Sequence, residues 1–217
     1  MFSRVKAAIK AFQERRFVIV YSETEGEGDL CFPAQEVTAE AILTMARVAS
    51  GLICLALPKK RLEELEIDAL PSKYQARPTP FFESVDAVGG GSGISPKDRA
   101  FTIKKVINPA AMPKDLARPG HVQLLGAHAD GLIGRDGHTE AVVELCRLAG
   151  LYPGGILCEL VSDNGDMMNA KELKALAKKF NIPIITVGAL TAFLRSFPSK
   201  RRGRGLTNNK RSLILNI

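Results

Sequence analysis

The chain has no tryptophan, three histidines and four cysteines among its 217 residues. The cysteines, Cys31, Cys54, Cys146 and Cys158, stand far apart with no C-x-x-C pair, which argues against a zinc ribbon. Long apolar runs are absent too. The longest clear ones, Phe17–Tyr21 and Leu52–Leu57, are far short of the roughly 20 residues a membrane-crossing helix needs, so membrane spanning is excluded and no membrane partner is expected for the body. There is no P-loop and no G-x-G-x-x-G opening a helix, so nucleotide-dependent chemistry has no support. No signal-peptide core occurs, because Met1–Arg16 is charged throughout. Reduced thiols in a cytoplasmic protein are the expectation, although the amphipathic basic start also fits an organelle transit peptide.

Acidic residues are missing from Pro198 to Ile217, where Lys200, Arg201, Arg202, Arg204, Lys210 and Arg211 stand. That stretch carries nearly all of the net charge of +7, and residues 1–197 are close to neutral. Gly203, Gly205, Asn208 and Asn209 suit a flexible, solvated tail. A loose attachment to RNA, DNA or acidic lipid is the other reading. The near-neutral body has no aromatic-basic patch, so nucleic acid is not an expected partner. With 46% hydrophobic and 24% charged residues, 1–197 reads as one globular domain and 198–217 as an appendage.

Periodicity supplies the elements. Phe2, Val5, Ile9 and Phe12 predict a first helix, and Phe17–Tyr21 a buried strand. After an acidic loop, Thr38 caps a helix to about Ala49, Gly51 ends it, and Leu52–Leu57 forms a strand. Pro58 opens a short charged helix near Pro58–Leu65. Phe81–Val88 reads as a strand running into Gly89–Gly93, a tight turn rather than a linker. A helix start follows, with Ser95 as N-cap, Pro96 at the first helical position and Asp98 placed for the reciprocal bond. Further strands are expected at Val122–Leu125, Gly155–Leu160 and Ile182–Val187. Further helices are expected at Thr139–Leu148, Ala170–Phe180 and Leu190–Phe197. Alternating strands and helices make the class α/β or α+β, a single domain with a mixed sheet covered by helices.

Three features carry chemistry. Glu23, Glu25, Glu27 and Asp29 alternate immediately after the first strand, and in an extended chain would point the same way. Such a row repels itself, and a hard divalent cation relieves that repulsion; a solvated acidic turn is the competing reading. The second feature is Gly134-Arg135-Asp136-Gly137-His138-Thr139-Glu140 at a helix start. Free backbone N–H groups, an arginine and a hydroxyl there suit a phosphate, and His138 suits metal or proton transfer. Taken alone, an ordinary loop-to-helix start is the favoured reading of this stretch. The third is Glu159 inside an apolar run, either functional or a charge at a strand end.

Glu25-Gly26-Glu27-Gly28-Asp29-Leu30, Gly51-Leu52-Ile53-Cys54, Gly93-Ile94-Ser95-Pro96-Lys97-Asp98-Arg99, Arg118-Pro119-Gly120-His121-Val122, Gly137-His138-Thr139-Glu140 and Leu157-Cys158-Glu159-Leu160 occur in one order over residues 5–195. Together they resemble the 3,4-dihydroxy-2-butanone 4-phosphate synthase family of riboflavin biosynthesis. The resemblance implies conversion of D-ribulose 5-phosphate to 3,4-dihydroxy-2-butanone 4-phosphate and formate. It also implies a Mg²⁺ or Mn²⁺ requirement and a homodimer with sites near the subunit interface. By motif, Glu25 and His138 match the metal ligands, and His121 and Glu159 the positions essential for activity. Thr24, Glu25, Asp29 and Arg135 through Thr139 (Asp136, Gly137 and His138 between them) match substrate contacts. Ser95, Asp98, Arg99 and Thr102 sit on a motif near the substrate, and Cys54 matches a family cysteine near the site or is a buried structural thiol. Thr24 departs from the pattern, because the family usually has an arginine there and threonine offers no guanidinium fork. A catalytically altered homologue that binds sugar phosphate or metal is the alternative.

Overall fold

The computed structural model describes residues 2–73 and 79–196. The basic stretch 198–217 lies outside the described residues. The N-terminal half begins with α1 (Phe2–Gln13), β1 (Val18–Ser22), β2 (Glu27–Pro33) and α2 (Ala39–Val48). It continues through β3 (Cys54–Pro58), α3 (Lys59–Glu64), β4 (Phe81–Ala87) and α4 (Pro96–Ile107). The remainder is β5 (Leu116–Ala127), α5 (His138–Leu148), β6 (Gly155–Glu159), α6 (Ala170–Phe180), β7 (Ile184–Thr186) and α7 (Val187–Arg195).

The strands form one mixed sheet in the order β4-β5-β3-β6-β2-β1-β7. The β1–β7 and β3–β5 pairs are parallel and the others antiparallel. Side-chain alternation gives the sheet two apolar faces, each with its own core. Ile19, Leu30, Leu55, Leu124 and Ile156 face α2, α4 and α6, while Val20, Cys31, Cys54, Leu125 and Leu157 face α1, α5 and α7. The architecture is the expected helix-covered mixed sheet. Among the described residues no helix is long and apolar enough to cross a membrane.

Most elements fall where periodicity puts them, and α6 matches residue for residue. The departures have local causes. Residues 22–29 are not an extended row: Glu23–Gly26 is the turn of a hairpin, with Ser22 opposite Glu27. Its second arm, β2, is a strand that the acidic reading concealed. Helix α2 is closed by Ser50, at φ 67, not by Gly51. Gly51 is needed for space instead, because a Cβ there would lie 2.5 Å from Glu159 Oε2. Ser95 does accept the Asp98 N–H at 3.1 Å, but the Asp98 carboxylate accepts from Gly91 N–H at 3.1 Å, so the cap is one-way and the glycine turn is tied to α4. Strand β3 starts later than expected, at Cys54, and α7 starts earlier, at Val187 with Thr186 as its cap.

Strand β5 is far longer than Val122–Leu125. Only Gln123–Ala127 pair with β3, so residues from Leu116 onward lie on an open edge against β4, where Pro119 removes no ladder bond. Between the Val85–Val122 and Asp86–Ala117 pairs, residues Arg118–His121 bulge out of the ladder.

Candidate active site

At one end of the sheet, on the face covered by α5, register alone gathers several of the singled-out residues. Asp29 on β2 is paired with Glu159 on β6, and Leu157, two residues earlier, with Cys54 on β3. Directly opposite residues have Cβ atoms about 5 Å apart, so Asp29 and Glu159 form a cross-strand pair of carboxylates. Glu159 is half-buried and accepts the Leu52 N–H at 2.8 Å. Asp29, opposite it, is the buried member of the pair, 3% exposed. Burial pushes it up to about 6 against the pull of His138, with Glu159, Glu27 and Glu25 adding to the rise.

Helix α5 brings its first residue, His138, onto this pair. His138 Nδ1 lies 3.2 Å from Glu25 Oε2, at the hairpin turn, and 4.0 Å from Asp29 Oδ2. Burial works against charge on this imidazole, but Asp29, Glu25 and Glu27 outweigh it and raise it to about 9. His138 Nε2 is buried without a hydrogen-bond partner. One imidazole thus faces several carboxylates, an excess of negative charge that suits a cation. Two neighbouring ligands of an octahedral ion with bonds near 2.1 Å sit about 3 Å apart, which the Glu25–His138 separation fits. Among the described residues no three His, Cys, Asp or Glu side chains converge as a complete ligand set. Two protein ligands with the rest left to water and substrate oxygens is the usual habit of Mg²⁺.

The loop before α5 is built around a residue the sequence reading did not assign. Glu140 is fully buried; its Oε2 accepts from Arg135 Nη1 at 2.8 Å and its Oε1 accepts the His128 N–H at 2.9 Å. Arg135 is thereby held beside the helix start, with Gly137 as N-cap, Thr139 buried and Asp136 exposed. Backbone N–H groups and the positive end of the α5 dipole face the same place.

A second group lies at the same sheet end, two strand spacings (about 10 Å) from Glu159. His121 is on the β5 bulge, its Nδ1 2.6 Å from Asp86 Oδ2. Gly93 packs against both side chains, so the glycine turn and the start of α4 belong to this group through Asp98 and Ser95. Arg99, also on α4, is partly buried. It sits within electrostatic reach of Cys158, on the α2/α4 face, and its Nε is buried without a partner. Thr102 accepts the Ala87 N–H at 2.9 Å and serves the β4–α4 junction. Thr24 is exposed in the hairpin turn. Burial raises the Cys54 thiol well above its ordinary value, with Glu159 and Asp29 adding to the effect, so it is no nucleophile at neutral pH.

Sequence reasoning missed Asp86 and quoted Glu140 in its motif without giving it a role. Asp86 carries a weak signal, a carboxylate between inward-facing Val85 and Ala87 on a strand, but nothing in one dimension pairs it with residue 121.

A family profile described as 3,4-dihydroxy-2-butanone 4-phosphate synthase matches residues 6–193. The chain belongs to this family. It is 42% identical over 196 residues to the 3,4-dihydroxy-2-butanone 4-phosphate synthase of Photobacterium profundum, covering 88% of this chain and 86% of that protein. It is 44% identical over 198 residues to the riboflavin biosynthesis protein RibBA of Aquifex aeolicus, covering 88% of this chain but 49% of that one. The chain thus spans about half of the longer relative and most of the shorter. A solved 3,4-dihydroxy-2-butanone 4-phosphate synthase in complex with two magnesium ions superposes with a TM-score of 0.84 at 34% identity, over 91% of this chain and 98% of that one. The family likeness extends through both arms of the acidic hairpin, the α5 start and β6, the segments that supply Glu25, Asp29, His138 and Glu159.

Proposed function

We propose that the protein is a carbon–carbon lyase of riboflavin biosynthesis that converts D-ribulose 5-phosphate to 3,4-dihydroxy-2-butanone 4-phosphate and formate. The observation that carries this reading is the meeting of Glu25 and His138 at 3.2 Å beside the buried Asp29, at the N-terminus of α5. Glu25 and His138 would hold a divalent cation, Mg²⁺ or alternatively Mn²⁺, which when bound stabilises negative charge on the oxygens of an enediolate.

The chain's own groups do the rest. Arg135, Thr139 and the free N–H groups at the α5 start bind the phosphate end of the sugar, with Asp136 and Gly137 shaping the loop. The phosphate end therefore anchors the substrate while its carbon chain extends over the Asp29–Glu159 pair. Asp29 binds a substrate hydroxyl, which can donate a hydrogen bond to its carboxylate. Glu159, fixed by the Leu52 N–H, and His121, fixed by Asp86, move protons between carbon and hydroxyl on either side of β3. Ser95 and Asp98 act less directly, through the glycine turn and the start of α4, and Arg99 supplies a positive charge near Cys158. Thr24 contributes no cation, and Arg135, held by Glu140 before α5, supplies the guanidinium in this arrangement. The altered-homologue alternative is not favoured, because the principal motif residues converge.

We extend the proposal to a cytoplasmic homodimer. All four cysteines are buried free thiols, in keeping with a reducing compartment. The test is formate release from ribulose 5-phosphate by the full chain with Mg²⁺, followed with a formate-specific assay. Turnover that disappears with EDTA and in Glu25→Gln and His138→Ala supports the reading; no formate from wild type with either metal overturns it.

A further inference from the structure

Residues Arg118–His121 leave the β4–β5 ladder, so His121 is carried on a bulge rather than in the pleat. Bulges of this kind re-aim a side chain and are frequent beside active sites. One carboxylate meets both polar groups of the re-aimed residue. The His121 backbone N–H donates to Asp86 Oδ1 at 2.9 Å, and ring Nδ1 lies 2.6 Å from Asp86 Oδ2. Gly93, at φ +87, closes over the pair, and a Cβ there would overlap both the carboxylate and the ring. The Asp86 side chain is 20% exposed and the His121 side chain 44%, so the carboxylate is enclosed while the ring stays accessible.

We infer that Asp86 is a positioning residue for His121, fixing the ring's orientation and tautomer so that Nε2 is presented to substrate. The inference rests on the lyase function proposed above. A neutral imidazole has one N–H, and a carboxylate against Nδ1 keeps that hydrogen there, leaving the Nε2 lone pair free. When Nε2 takes a proton from substrate the ring becomes an imidazolium, and its charge forms beside the Asp86 carboxylate. No other bond changes on the protein, and the same proton leaves Nε2 when the ring next acts as an acid. An asparagine at 86 retains an acceptor for the backbone N–H. Its amide can donate to Nδ1, which moves the ring hydrogen to Nε2 and removes the base. Gly93 limits any sideways escape of the ring, so the glycine turn has a role in this arrangement besides leading into α4.

The test combines formate-release kinetics on Asp86→Asn, His121→Ala and the double variant with ¹⁵N NMR of the His121 ring. The neutral wild-type ring is expected to carry its hydrogen on Nδ1, and Asp86→Asn to shift it to Nε2. In Asp86→Asn kcat is expected to fall about a hundredfold, with KM within about threefold of wild type, and the double variant to be no slower than His121→Ala. A wild-type ring protonated mainly on Nε2 overturns the inference, and that measurement needs no variant to fold. Near-normal kcat in Asp86→Asn overturns it as well, as do losses that multiply in the double variant. If wild type releases no formate, the lyase reading fails, while the NMR arm still decides whether Asp86 sets the His121 tautomer.

Discussion

Asp29 and Glu159 stand opposite each other in the β2–β6 ladder, one buried and the other half-exposed, with His138 drawn to the buried member. Like charges directly across a ladder are destabilising. The arrangement therefore costs folding free energy, and the cost depends on pH in a definite direction.

Asp29 is held at about 6 against a usual value of 3.8, so the folded state prefers its protonated form. Stability attached to this group is present below pH 4 and is lost as pH rises through 6. The shift corresponds to roughly 3 kcal/mol at most. In urea unfolding of the metal-free protein, Asp29→Asn should gain stability over wild type between pH 4 and 7. Parallel pH profiles for the two proteins would contradict this account.

His138 must give up a proton before Nδ1 can bind a cation, and in the metal-free protein that proton is held up to about pH 9. Affinity for Mn²⁺ should therefore rise about tenfold per pH unit between pH 7 and 8.5, with about one proton released per ion. Titration calorimetry in buffers of different ionisation enthalpy counts that proton. An affinity flat with pH would remove His138 from the ligand set.

Glu140→Gln keeps an acceptor for the His128 N–H but removes the charge facing Arg135. A hydrogen bond to a charged partner contributes about 1.5–3 kcal/mol, and a loss of that order is expected on chemical unfolding. The same variant should raise KM for the sugar phosphate more than it lowers kcat, because Arg135 is no longer held at the α5 start. An unchanged KM would show that Arg135 needs no such support.

Burial raises the Cys54, Cys146 and Cys158 thiols, the last two to about 12, and Cys31 well above its ordinary value. A thiol reagent at pH 7.5 should label none of the four in the native protein within minutes and all four in denaturant. Fast native labelling of Cys54 would show that the site opens.

Helical periods and caps were legible because they are written locally. Thr38 and Ser95 each accept the backbone bond expected of an N-cap, and α1 buries Val5, Ile9 and Phe12 of its predicted stripe while Phe2 at its start stays exposed. Strand β2 was hidden because its first three residues, Glu27-Gly28-Asp29, combine poor strand formers with charge, and only tertiary pairing with β1 and β6 makes them a central strand. The proximal half of β5 was hidden for a similar reason, since Pro119 and Gly120 read as breakers until the open edge that tolerates them is seen.

The sequence alone determined the class, the element order apart from β2, and the residue types available for chemistry, since hydrophobic period and capping depend on near neighbours in the chain. Only the tertiary structure decided which carboxylates share a site. A hairpin turn splits the acidic row, sending Glu23 to the Gly188 N–H and Glu25 to His138. Strand register sets Asp29 against Glu159, and a bulge turns His121 to Asp86. Each of these is a contact between residues distant in sequence. Such contacts are fixed by how the sheet packs beneath its helices, which no local pattern encodes.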